Sequence, residues 1–199
     1  MIYLFQVVVL IFSAIIHEYM HGFVAFQLGD DTAQKAGRLT INPLAHLEWF
    51  GSFFLPLIML LSGLGFVIGW AKPVPYNPYN LSDKKWGEAK VALAGPLSNL
   101  VVAILFGLIL RFIPFLSLSF ANLISLIIYI NLLLMVFNLL PIPPLDGSKI
   151  LAAFLSPFQK AKYFSFSSYG TIIVIFIIML FSGIIIGPVN FLFHLITAL

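Results

Sequence analysis

Residues 2–28 are almost wholly apolar, and two further runs, 88–111 and 118–140, are of similar length. A helix needs about 20 residues to cross the hydrocarbon core of a bilayer. Each run is therefore long enough to span, and a chain carrying three of them has little choice of solvent. Composition closes the other routes. Of the 199 residues 61 % are hydrophobic and 9 % charged, with a mean hydropathy of +1.09, against about 25 % charged in soluble domains. A water-soluble globule is excluded, and no stretch remains for a separate soluble domain. No cleavable signal pattern precedes the first run, so the expectation is an all-α polytopic membrane protein, one domain over residues 1–199 that stays in the membrane whole. The net charge of +3 is small and scattered, which argues against nucleic-acid binding. With no Cys, any metal must be held by His, Asp or Glu.

The order of apolar and breaking segments gives a topology. Block 49–70 carries Pro56, Gly63, Gly65 and Gly69, which weaken it as one straight helix and suggest that it folds back. The segment Lys72-Pro73-Val74-Pro75-Tyr76-Asn77-Pro78 must be extended or turning. Runs 88–111 and 118–140 then read as a helical hairpin, followed by a rigid elbow, Pro141-Ile142-Pro143-Pro144-Leu145-Asp146-Gly147. Residues 148–168 mix apolar side chains with Lys149, Lys160 and Lys162, as an interfacial segment does. A last crossing is expected from about Tyr169 to Ile186, broken by Gly187-Pro188 before a short tail. If block 49–70 is re-entrant, nine of the ten basic residues fall on one side and only Arg111 on the other. The positive-inside rule makes that side cytoplasmic. The N-terminus is then outside, with four crossings.

Inside the first run stand His17, Glu18 and His21, at a depth where ionisable groups are costly and call for a partner. They fit the pattern H-E-x-x-H. On a helix, His at i and i+4 project from one face and suit two zinc ligands. Glu18, offset by about 100° around the axis, is near such a metal but free to handle a proton. A catalytic zinc takes three protein ligands and leaves one position open. Asp30 and Asp31 lie too far along the same helix or beyond it, which leaves Asp146 in the elbow as the third. If block 49–70 is re-entrant the topology agrees, since the hairpin goes out and returns and Asp146 emerges on the side toward which His17 and His21 lie. A spanning block would put it on the opposite side. A plain helix-capping turn is the alternative reading of Asp146-Gly147, and the loop residue His46 is an alternative ligand, although a lone loop His is more often structural.

The sequence resembles the site-2 protease family of intramembrane zinc metalloproteases in its small prokaryotic form. The likeness rests on His17-Glu18-x-x-His21, the run Gly37 to Pro43, Gly69-Trp70-Ala71-Lys72-Pro73-Val74-Pro75, Ala94-Gly95-Pro96-Leu97-Ser98-Asn99, and Asn138 through Gly147. These motifs follow in order over residues 13 to about 150. Glu48-Trp49 departs from it, since an Asp-Pro pair is more usual there. The resemblance implies a three-helix catalytic core within about 1–150, accessory helices over about 151–199, one Zn2+ on His17, His21 and Asp146, and Glu18 as general base. It also implies regulated proteolysis of membrane-bound substrates, and it makes Asn138 the candidate for polarising the scissile carbonyl. Interhelical packing is the competing reading of Asn138, and a hydrogen-bonded helix contact accounts for Asn131. Gly95-Pro96 is most simply a kink or a close helix approach.

The chemistry expected is peptide hydrolysis, Glu18 taking a proton from the attacking water and returning it to the leaving amine. His17 lies roughly 16 Å below the end of its helix, so water must reach a buried site from the cytoplasm. A substrate helix hides its peptide bonds in its own hydrogen bonds and must unwind; the irregular chain around 49–78 could receive it as an extended strand. A metal or proton transporter using the same His, Glu and Asp is the rival from another class, although no half-repeats support alternating access.

Overall fold

The first apolar run folds as one helix, α1 (Ile2–Gln27). Gly29 ends it in the left-handed region at φ +95°, and the Asp30 amide turns back to donate to Ala25 O, an arrangement open to glycine because it has no Cβ to clash. In this computed structural model residues 2–46, 48–62, 72–113, 115–167, 169–170, 176 and 183–198 are described. Short helices α2 (Thr32–Lys35) and α3 (Pro43–His46) follow. A π-helical turn (Trp49–Phe54) then leads into α4 (Leu55–Ser62). The hairpin is α5 (Gly87–Phe112) and α6 (Leu118–Asn138). Two short helices, α7 (Asp146–Ala152) and α8 (Pro157–Ser165), and a terminal α9 (Gly183–Thr197) complete the order. There is no strand among the described residues. Helices α1, α5 and α6 are long and apolar enough to cross a membrane, and they match the three runs read from sequence to within two residues at each end.

The two ends of the irregular excursion meet. The Lys72 amide donates to His46 O at 2.8 Å, which ties together the described residues on either side of the intervening block. Leu47 and residues 63–71 of that block lie outside the described residues, as does most of the expected crossing at 169–186. The stretch Lys72–Asn77 is irregular, as its prolines dictate. Asp30 anchors its far end: this buried carboxylate accepts from the Asn77 amide (2.7 Å), Asn80 Nδ2 (2.9 Å) and Thr32.

Helix α5 is the central post, packed against α1, α6, α7 and α9. Away from the elbow, Ala103, Ile124, Ile128, Leu132, Ile185 and Val189 form an apolar cluster shared by α5, α6 and α9. One expectation is corrected here. Gly187-Pro188 does not break the chain into a tail: α9 runs through Pro188. The proline forfeits one backbone hydrogen bond, but Ile185 and Val189 on either side of it are buried in the cluster, and that packing holds the helix. The large side chains turned outward, such as Phe12, Val101, Leu105 and Phe191, suit a surface solvated by lipid.

Candidate metal centre

The spacing of His17 and His21 on α1 places their rings one above the other, edge to face, with centroids 4.6 Å apart. Asp146 comes to them from the other side of the elbow, as the first residue of α7. The elbow, which includes a cis peptide between Pro143 and Pro144, folds so tightly that a Cβ on Gly147 would collide with the Leu139 carbonyl. Asp146 Oδ2 lies 3.0 Å from His17 Nε2 and 3.1 Å from His21 Nε2. All three residues are buried, and their ligand atoms fall within 4.8 Å of one another. Among the described residues no other group of three His, Cys, Asp or Glu converges in this way.

The protons on the two imidazoles decide what this cluster can hold. His17 Nδ1 faces Asn99 Oδ1 at 2.6 Å, and His21 Nδ1 faces Val91 O at 2.7 Å. Both partners are acceptors, so each Nδ1 carries the proton, and a neutral ring then has a bare lone pair on Nε2. Two such lone pairs and a carboxylate oxygen confront one another, which is unfavourable unless a cation lies between them. Gly95 leaves the room: a Cβ there would sit 2.5 Å from both Nε2 atoms. A set of two imidazole nitrogens and one carboxylate oxygen, with outer acceptors already in place, fits zinc with one position left open.

All five side chains singled out in the sequence line one cavity of about 170 Å³. His17, His21 and Asp146 form the cluster. Glu18 points from the same helix, one Oε accepting from the Val74 amide at 2.8 Å, so the strap after the excursion holds the carboxylate at the cavity wall. Asn138 also lines it, its Nδ2 donating to Leu134 O at 2.9 Å. His46 is not part of this group. It is buried elsewhere, its Nε2 donating to Thr40 O at 2.6 Å, the structural use expected of a loop His.

Lys149 and Tyr76 are cavity residues that the sequence reading did not single out. Lys149, one turn after Asp146 on α7, sets its Nζ 3.6 Å from Asp146 Oδ1 and 5.4 Å from the Tyr76 ring centre. Burial works against its charge, but Tyr76, Asp146 and Glu18 around it prevail and hold the ammonium above its ordinary range. Burial works against an anionic Asp146, and the Lys149 ammonium beside Oδ1 favours it, so Asp146 is an anionic donor. The i+3 spacing from Asp146 was the available signal for Lys149, legible only once a helix is known to start at Asp146.

Comparison with known proteins points the same way. The family model for peptidase family M50 matches residues 113–181, a stretch that holds Asn138 and Asp146. YwhC of Bacillus subtilis (strain 168), named a candidate zinc metalloprotease, is 38 % identical over 85 % of this chain and 77 % of its own length. Rip2 of Mycolicibacterium smegmatis, named likewise, is 33 % identical over 84 % of this chain and 63 % of its own. MJ0611 of Methanocaldococcus jannaschii, also so named, is 34 % identical over 69 % and 63 %. No solved structure matches.

Proposed function

The chain belongs to peptidase family M50, the site-2 protease family of zinc metalloproteases, and on that premise we propose that it hydrolyses peptide bonds within or near the transmembrane segments of other membrane proteins, in regulated proteolysis. One observation carries the reading. Two imidazoles from α1 and a carboxylate from the far side of the hairpin converge with both Nδ1 atoms already committed, so His17, His21 and Asp146 offer three lone pairs to one ion. They are the proposed zinc ligands, one ion per chain, within a catalytic core of about residues 1–150.

When bound, zinc supplies a Lewis acid that acidifies water and polarises a carbonyl. The chain supplies the rest. Glu18 is the general base: the Val74 amide fixes one of its oxygens, and the carboxylate takes the proton of the attacking water and returns it to the leaving amine. Asn138, at the same cavity, is the candidate donor to the scissile carbonyl. Lys149 holds the charge of Asp146 at Oδ1, while the imidazoles meet Oδ2. The small volume enclosed by Pro73, Val74, Tyr76 and Pro144 admits extended chain rather than a helix, so the substrate segment must unwind first. The cavity is proposed to open toward the cytoplasm of a cell membrane, a reading supported by the lysines and arginines that a re-entrant block 49–70 gathers on the elbow side.

Glu18→Gln tests the proposal in the purified protein and in cells expressing single-span reporter substrates. Zinc stays bound at wild-type stoichiometry while cleavage falls by at least about 100-fold, the contribution expected of a general base. Unchanged cleavage overturns the role of Glu18. Zinc flux across proteoliposomes with no cleavage of any reporter would establish the transporter instead.

A further inference from the structure

A line of hydrogen bonds leaves the metal cluster on the side away from the cavity and crosses all three long helices. His17 Nδ1 on α1 meets Asn99 Oδ1 on α5 at 2.6 Å. Asn99 Nδ2 donates to Asn131 Oδ1 on α6 at 3.0 Å and to Ser13 O on α1 at 3.2 Å. Asn131 Nδ2 donates in turn to Ile127 O at 2.9 Å. Both asparagines are fully buried.

The direction of this line is forced. Asn131 spends its Nδ2 on a backbone carbonyl, so the atom it turns to Asn99 is its oxygen. Asn99 thus has two acceptors, Asn131 Oδ1 and Ser13 O, around one end of its amide, and these hold the Nδ2 there. Its oxygen is left facing His17 and can only accept. The imidazole must therefore carry its proton on Nδ1 and present Nε2 to Asp146 and His21. His46 shows that the chain does not impose this tautomer everywhere, since its Nε2 is the donor.

We infer that Asn99, locked by Asn131 and Ser13, is a positioning residue that sets the tautomer and ring plane of His17 so that Nε2 is available to zinc. The inference rests on the zinc site proposed above. It separates from a plain inter-helix tie because the two roles use opposite ends of one amide: the oxygen orients His17, and the nitrogen joins the helices. Losing an outer partner of a metal-bound His commonly costs 10–100-fold in affinity, and the carboxylate of an aspartate can replace the amide oxygen but not the nitrogen.

Zinc affinity is measured by chelator competition on the full chain in detergent, for wild type, Asn99→Asp, Asn99→Leu, Asn131→Leu and His17→Ala, with circular dichroism as the check on folding. Ring-nitrogen NMR shifts of His17 in metal-free protein report the tautomer. The expected result is a loss of about 10–100-fold in Asn99→Leu and a clearly smaller loss in Asn99→Asp, which keeps the acceptor for His17 while stranding Asn131 Oδ1 and Ser13 O. An intermediate loss is expected in Asn131→Leu, where Ser13 O still holds Asn99. His17 carries its proton on Nδ1 in wild type and in Asn99→Asp and becomes a mixture in Asn99→Leu. Equal losses in the Asp and Leu variants, or no loss in either, would overturn the positioning role while leaving the metal site standing. Wild type binding zinc no better than His17→Ala would instead overturn the metal site itself.

Discussion

Helix α5 runs through two different interiors. Between Val91 and Asn99 it meets His17, His21 and Asn131 through directed hydrogen bonds that hold both Nδ1 atoms and the Asn99 amide. Beyond Ala103 it faces Ile124, Ile128, Ile185 and Val189, and the buried residues described in this cluster are all apolar. The second interior gains little from the hydrophobic effect, because lipid is as apolar as the residues it would replace, and is held by close packing. The first is held by direction: moving one donor strands its partner at a depth where nothing else can satisfy it. Packing therefore tolerates substitution and costs stability, whereas the polar interior should tolerate little and lose chemistry first.

The same change made in both interiors is the sharpest way to break this contrast. Gly95→Ala puts a methyl group 2.5 Å from both Nε2 atoms. It should reduce zinc affinity by more than the roughly 10–100-fold that outer-partner losses cost, with helix content retained in circular dichroism. Gly107→Ala, farther along the same helix, meets the Ile196 side chain of α9 instead; it should destabilise by about 1–3 kcal/mol through overpacking and leave zinc affinity unchanged. If the two variants behave alike, the division is false. Ile128→Ala, a fully buried side chain in the apolar cluster, should cost about 2 kcal/mol in a reversible unfolding assay, less than many cavities in water because lipid removes part of the transfer contribution.

Lys149→Met sharpens the polar side. Its ion pair with Asp146 is long, at 3.6 Å, so zinc affinity should fall less than about 10-fold, and a larger fall would make Lys149 a main support of the site. The smallest effect belongs to the anchor of the strap. Burial raises the Asp30 carboxyl, but hydrogen bonds from Thr32, Asn77 and Asn80 prevail and hold it below its ordinary value. A carboxylate depressed in the folded state stabilises above its unfolded pKa, and that contribution is lost as pH falls through the lower folded value. Asp30→Asn should therefore flatten the acid limb of the stability curve, read as thermal midpoint against pH, and leave the neutral limb little changed in shape.

The long helices were legible because membrane-spanning runs announce themselves by length and absence of charge, and α1, α5 and α6 fall where 2–28, 88–111 and 118–140 put them. The meeting of Asp146 with His17 and His21 was legible from parity together with the re-entrant reading of block 49–70: with no crossing between the first helix and the hairpin, a hairpin that goes out and returns brings its end back to the side of the two imidazoles. What could not be read was rotation about each helix axis. Asn99 and Asn131 stand on different helices, and nothing in their spacing says that they face each other and, through them, His17. Gly95 reads as a site of close approach, but not as the space beside two imidazoles. Pro188 misleads because the local rule against proline within a helix is overruled by the packing of Ile185 and Val189.

The central claim is that His17, His21 and Asp146 bind one zinc together. X-ray absorption at the zinc edge of the purified full chain, with metal content per chain, tests it most directly. The account predicts one zinc with two imidazole nitrogens and light oxygen neighbours at about 2.0–2.2 Å, and loss of that signal in Asp146→Ala. A zinc environment unchanged by Asp146→Ala, or no zinc retained by the folded wild type, would contradict it.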